Sequence, residues 1–179
     1  AKSPLTGTIK ESNAGGTTGL ALGRLGITAI VIDGQAVDDK LYILRVDGQG
    51  ASSLIPANEY KGMRTYPLTQ KLVETYGEKT SVLVIGPAGE YQWRSASIQA
   101  SDMDGRPCRA AGRGGLGAVM GAKGLKAIVI DGQGKDADAI ADPEAFKEAA
   151  KAFAQAVKAH PMTGQMLPAL GTAGLVAPV

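Results

Sequence analysis

The sequence predicts an α+β fold built from a duplicated unit, followed by the start of an α-helical domain. Three observations carry this. The heptapeptide Ala29-Ile30-Val31-Ile32-Asp33-Gly34-Gln35 recurs as Ala127-Ile128-Val129-Ile130-Asp131-Gly132-Gln133. Aligned backward at the same offset, Gly16, Gly19, Gly23 and Gly26 fall on Gly114, Gly117, Gly121 and Gly124. Beyond Gly134 the chain turns alanine-rich, with apolar residues at helical spacing.

Taken in order, Lys2 to Ser12 reads as a short strand or extended segment. Ala14 to Gly26 is glycine-rich and then weakly helical. Ala29 to Ile32 is a continuous apolar run that predicts a buried strand, stopped by the turn Asp33-Gly34. Leu41 to Val46 predicts a second strand, ended by Asp47-Gly48. Between Tyr66 and Tyr76 the spacing of Leu68, Leu72, Val73 and Tyr76 predicts a helix, and Gly77 closes it. Ser81 to Ile85 predicts a strand ending at Gly86-Pro87, and Trp93 to Ile98 a further one. Gly114 to Gly124 and Ala127 to Ile130 repeat the glycine-helix and the buried strand. Asp142 is an N-cap with Pro143 at the first helical position. Phe146, Ala150, Phe153 and Val157 then share a helix face, and His160-Pro161 ends it. The boundary near Asp136 to Ile140 gives two domains, 1–139 and 140–179.

The duplicated unit is a glycine-rich loop, a short helix, a strand and an Asp-Gly turn. The first turn of a helix leaves backbone N–H groups without partners, and its dipole favours an anion there. Glycines ahead of it let a phosphate lie against the main chain. Two copies therefore predict a pair of phosphate sites for one two-part ligand. The bland alternative is that the glycines serve only tight turns and close packing. Arg109 and Arg113 in the second loop favour the anion reading, because guanidinium forks suit phosphate oxygens. A dinucleotide fingerprint also exists in Gly112, Gly114 and Gly117 with Asp131. It needs a strand running into the first glycine, and the polar stretch Asp102 to Arg109 argues against one.

With 179 residues, the chain can bury a core without disulfides, and a single cysteine forms none internally. A reducing cytoplasm is the default compartment. A formal net charge of +2, scattered basic residues and sparse aromatics argue against a nucleic-acid partner. No apolar run is long enough to span a membrane, and no signal segment opens the chain.

Four blocks then occur in order: Ser3-Pro4-Leu5-Thr6-Gly7, Asn13-Ala14-Gly15-Gly16, Ile85-Gly86-Pro87-Ala88-Gly89-Glu90 and the long run Arg109 to Lys123. Together they resemble the amino-terminal domain of the tungsten-containing aldehyde ferredoxin oxidoreductase family. The resemblance covers Ala1 to about Ile140. It implies a base of two β-sheets related by a pseudo-twofold axis, across which two pterin cofactors hold tungsten, or molybdenum. It implies oxidation of aldehydes to carboxylic acids, with electrons passing to ferredoxin or a dedicated electron-transfer subunit. Homo-oligomer formation is compatible with it. Carried over by motif, Asn13, Gly15, Arg109, Ala110, Gly112 and Arg113 contact the pterin or its phosphate. The backbone carbonyls of Asn13 and Ala110 face a bridging Mg ion.

The family's cluster cysteines have no match here, and Cys108 belongs to none of those motifs. The [4Fe-4S] ligands of the full-length protein are thus expected outside this chain. The resemblance implies a first domain incomplete at its amino terminus, in a fragment inactive alone. A second reading keeps the paired loops as a phosphate- or dinucleotide-binding module without redox metal. A third makes the chain purely structural, self-associating through unpaired sheet edges.

Among single residues, Cys108 reads as an ordinary thiol and His160 as a helix-ending or solvated residue. Glu90, Asp33 and Asp131 read as turn formers. Trp93 reads as a packing residue. Lys123 and Lys126 suit either solvent or a phosphate.

Overall fold

The computed structural model describes residues 1–132 and 140–176. The chain divides into two compact units, Ala1–Ala137 and Asp138–Val179. The end of the second heptapeptide at Gln133 and most of the expected boundary at Asp136 to Ile140 lie outside the described residues.

In the first unit, strands β1 (Tyr42–Val46), β2 (Ser52–Pro56), β3 (Thr80–Val84), β4 (Ile98–Ala100), β5 (Arg109–Ala111) and β6 (Leu125–Asp131) form one sheet, ordered β2-β1-β6-β3-β4-β5. Among the described residues only β1 and β6 pair in parallel; every other neighbour is antiparallel. Helices α1 (Thr18–Arg24), α2 (Thr65–Tyr76), α3 (Pro87–Glu90) and α4 (Leu116–Ala122) pack around it.

Strand side chains alternate between faces, and β6 shows both. Ala127 and Val129 join Ile43, Val82 and Val84 under α2, where Leu68 and Leu72 are fully buried. Ile128 and Ile130 face the other way, meeting Ala21 of α1 and Met120 of α4 in two adjoining clusters. Each buried leucine contributes about 1.5–3 kcal/mol. The sheet is therefore a filling between α2 on one side and the two glycine-bearing helices on the other.

The expected helices and several strands form. α1 and α4 sit at the same offset as the repeat, and α2 ends at Gly77 as its spacing predicts. Asp47 accepts N–H bonds from Gln49 and Ala51, each at 2.9 Å, which builds its turn.

Other expectations fail. Ala29 to Ile32 is not a strand: Val31 is 81% exposed and the segment pairs with no neighbour among the described residues. Its identical copy lies between β1 and β3, with both edges hydrogen-bonded. An apolar run becomes a buried strand only where the fold supplies partners. Consequently one sheet forms among the described residues, not the expected pair related by a pseudo-twofold axis.

Residues 93–97 hold no strand, with a turn at Arg94 and Ser95, and the strand begins only at Ile98. Tyr91, Gln92 and Trp93 leave α3 through a Schellman ending. Trp93 N–H donates to the Ala88 carbonyl and Gln92 N–H to Gly89, each at 2.9 Å, with Gln92 at φ +55°. This turn throws Trp93 outward, 64% exposed and stacked on Tyr91, instead of into packing.

In the second unit, α5 (Pro143–Ala159) starts at the Asp142 cap, whose side chain accepts from Ala145 N–H at 3.0 Å. Phe146, Phe153 and Val157 share the expected face but stay substantially exposed. His160 ends the helix and its Nδ1 accepts from Met162 N–H at 3.2 Å. A π-helical turn (Met162–Met166), α6 (Leu167–Leu170) and a 3-10 turn (Gly171–Leu175) follow.

Candidate functional site

The first and second glycine loops meet. Glu11, Ser12 and Asn13 face Ala110, Gly112 and Arg113 across one cleft of about 400 Å³. Asn13, Ala110, Gly112 and Arg113, four of the residues expected from sequence, all line this cleft. Gly15 and Arg109 lie beside it, with the Arg109 side chain running over the Gly15–Gly16 backbone: a Cβ at Gly15 would sit 3.8 Å from Arg109 Cδ.

The first loop is fixed by hydroxyls. Thr17 Oγ1 donates to Ser81 Oγ at 2.9 Å and lies 3.1 Å from Ser101 Oγ, while Thr17 N–H donates to the Ser101 carbonyl at 3.1 Å. Ser101 Oγ in turn accepts from Val82 N–H at 3.0 Å. Gly16 makes this approach possible. It adopts φ +107°, and a Cβ there would fall 2.3 Å from the Ser101 carbonyl oxygen.

The second loop leaves the sheet at β5, an edge strand that among the described residues pairs only with β4. A strand does therefore precede Gly112, against the sequence-based expectation. The dinucleotide reading still fails, on direction: three antiparallel pairings separate β5 from β6, so the two strands run oppositely. A dinucleotide fold needs them parallel.

The electrostatics favour an anion. Among the described residues, neither Arg109 nor Arg113 forms an ion pair. Gly112 has only Ala110 Cβ near its missing side chain, at 3.9 Å, so its backbone is open toward the cleft. Glu11 adds one negative group to the lining. Ser12 and Glu11 were missed from sequence; their only signal was adjacency to Asn13.

The other candidates find structural roles. Lys123 Nζ donates to the Gly34 carbonyl at 2.8 Å. Lys126 is fully buried, ion-paired with Glu90, and donates to the Met63 carbonyl at 2.8 Å. Glu90 also accepts from Gly62 N–H, at 2.8 and 3.1 Å, so it is a core partner rather than a simple turn former. Asp131 is the last residue of β6, and Gly34 turns the chain after Asp33 at φ +77°. Cys108 is exposed, and its S–H donates to Asp102 Oδ2 at 3.0 Å. That carboxylate holds the thiol above its usual range. No group of three or more His, Cys, Asp or Glu residues able to hold a metal occurs among the described residues. No described helix is long and apolar enough to cross a membrane.

Comparison with known proteins places this fold among oxidoreductases. Residues 1–132 match the family "Aldehyde ferredoxin oxidoreductase, N-terminal domain", and the chain belongs to that family. It is 39% identical over 176 residues to a tungsten-containing aldehyde ferredoxin oxidoreductase of Pyrococcus abyssi, and 38% identical to that of Pyrococcus furiosus. Each alignment covers 98% of this chain and 27% of the relative, so the chain spans about a quarter of their length. An aliphatic sulfonate oxidoreductase, WOR-like subunit, of Pyrococcus furiosus is 30% identical over 146 residues, covering 74% of this chain and 22% of that protein. Among solved structures, the active-site complex BamBC of benzoyl coenzyme A reductase superposes with a TM-score of 0.74 at 28% identity, covering 88% of this chain and 22% of that one.

Proposed function

We propose that residues 1–132 form the cofactor-cradling base of a tungsten bis-pterin oxidoreductase that oxidises aldehydes to carboxylic acids. The supporting observation is the cleft shared by two glycine loops, lined by Arg113 and flanked by Arg109, neither of which forms an ion pair among the described residues. A diphosphate-sized anion suits that charge and the open main chain at Gly112 and Gly15. Asn13 and Ala110 would offer carbonyls to a Mg ion. A divalent cation also reconciles Glu11 with a neighbouring phosphate, because hard cations bridge carboxylate and phosphate oxygens. The two loop-and-helix units would be copies of one ancestral cradle, each serving one pterin.

When bound, the metal supplies the two-electron chemistry, and the protein binds, orients and tunes it. The residues here would anchor phosphate ends and hold the pterins in place. The [4Fe-4S] ligands, the aldehyde pocket and the contact with ferredoxin would come from other parts of a longer cytoplasmic protein, and this chain would be inactive alone.

The test is a titration of the chain with magnesium pyrophosphate, followed by amide chemical shifts, with NAD and ATP as comparison ligands. Saturable shifts at residues 11–15 and 109–113 are expected. Inert pyrophosphate beside tight NAD binding would instead favour a nucleotide module.

A further inference from the structure

The second loop is gripped from both sides by the first thirteen residues. Arg113 N–H donates to Ser12 Oγ at 3.0 Å. One residue on, the Gly114 carbonyl accepts from Ser3 Oγ at 2.6 Å. Ser3 is 1% exposed and fully used: Leu5 and Thr6 N–H groups both donate to its oxygen, at 3.2 and 3.1 Å. The segment that carries these serines is itself folded back, with Ser3 N–H donating to Thr8 and Lys10 N–H to Ala1. Gly114 closes the fit, since a Cβ there would lie 2.9 Å from Lys10 Cβ.

We infer that Ser3 and Ser12 form a two-point clamp on Arg113–Gly114, and that Ser12 is a further ligand-contacting residue of the cleft. The inference rests on the anion reading of that cleft. Without the clamp, two consecutive peptides of a glycine loop would sample several orientations, and the guanidinium of Arg113 with them. Fixing donors before the ligand arrives removes that ordering cost from binding. Ser12 does more than hold. Its oxygen accepts from Arg113, and the hydroxyl hydrogen has no acceptor among the described residues. Ser12 lines the cleft, so that hydrogen is available to a phosphate oxygen. Ser3, buried and saturated, acts only through Gly114 and is a positioning residue.

The experiment compares wild type, Ser12→Ala, Ser12→Thr and Ser3→Ala by calorimetric titration with magnesium pyrophosphate, at a temperature where circular dichroism shows each protein folded. Ser12→Ala and Ser3→Ala should each weaken binding about three- to tenfold, one hydrogen bond's worth. Ser12→Thr, which keeps the hydroxyl, should restore affinity. A merely structural role would lower the melting temperature and leave affinity in the cold unchanged, which overturns the clamp while the anion site stands. Absence of pyrophosphate binding by wild type would overturn both. If Ser3→Ala does not fold, the partly exposed Ser12 pair decides the matter alone.

Discussion

Lys126 and Glu90, 36 residues apart in sequence, form an ion pair whose side chains are 0% and 6% exposed. The pair ties the middle of the sheet to the end of α3 and, through the Met63 carbonyl and Gly62 N–H, to the loop entering α2. Breaking one side strands a charge in low dielectric, whereas removing both need not. Glu90→Ala should therefore cost about 3–5 kcal/mol in urea unfolding. Glu90→Gln combined with Lys126→Met should recover most of that loss. Equal costs for the single and double variants would contradict a buried, coupled pair.

The same pair sets a pH dependence. Burial pushes the Lys126 ammonium below its ordinary value, and Glu90 opposes this only in part. Between the lowered folded value and the ordinary one, the unfolded chain binds the extra proton, so stability from this group rises with pH. Wild type should gain on the Lys126→Met, Glu90→Gln double variant as pH climbs from neutral toward the ordinary lysine value. A difference that shrinks over that range would show that Lys126 is held above its ordinary value.

The two glycine helices should respond oppositely to alanine. A Cβ at Gly121 of α4 would lie 2.0 Å from the Gly89 carbonyl oxygen, backbone against backbone. Gly23, its counterpart in α1, has nothing within 4 Å. Gly121→Ala should destabilise by at least about 1–3 kcal/mol by overpacking. Gly23→Ala should stabilise by up to about 1 kcal/mol through helix propensity. Thermal unfolding of both variants, read side by side, checks the contrast.

Cys108 should alkylate slowly for an exposed thiol. Asp102 accepts its S–H and raises the thiol's pKa, which suppresses the thiolate. Asp102→Asn removes that charge, so iodoacetamide should react faster at neutral pH. An unchanged rate would mean the contact does not persist in solution.

Much of the fold was legible because α2, β1, β3 and β6 carry their own periodicity and turn residues. The misses have physical causes. β2 is a polar edge strand, with Leu54 61% exposed, and lacks the alternation that marks a half-buried strand. β5 is three residues of Arg-Ala-Ala whose only strand signal is its neighbour β4. The cleft was legible through its glycines and arginines. Ser3, Ser12 and the Lys126–Glu90 pair were not, because each works through a partner distant in sequence that no local pattern announces.

Ala29–Asp33 and Ala127–Asp131 are spelled alike, yet one is surface chain and the other central strand. An antibody raised against that peptide would consequently find one epitope per native molecule and two per denatured one. The chain carries a built-in ratio that reports the opening of its own sheet, with no label attached.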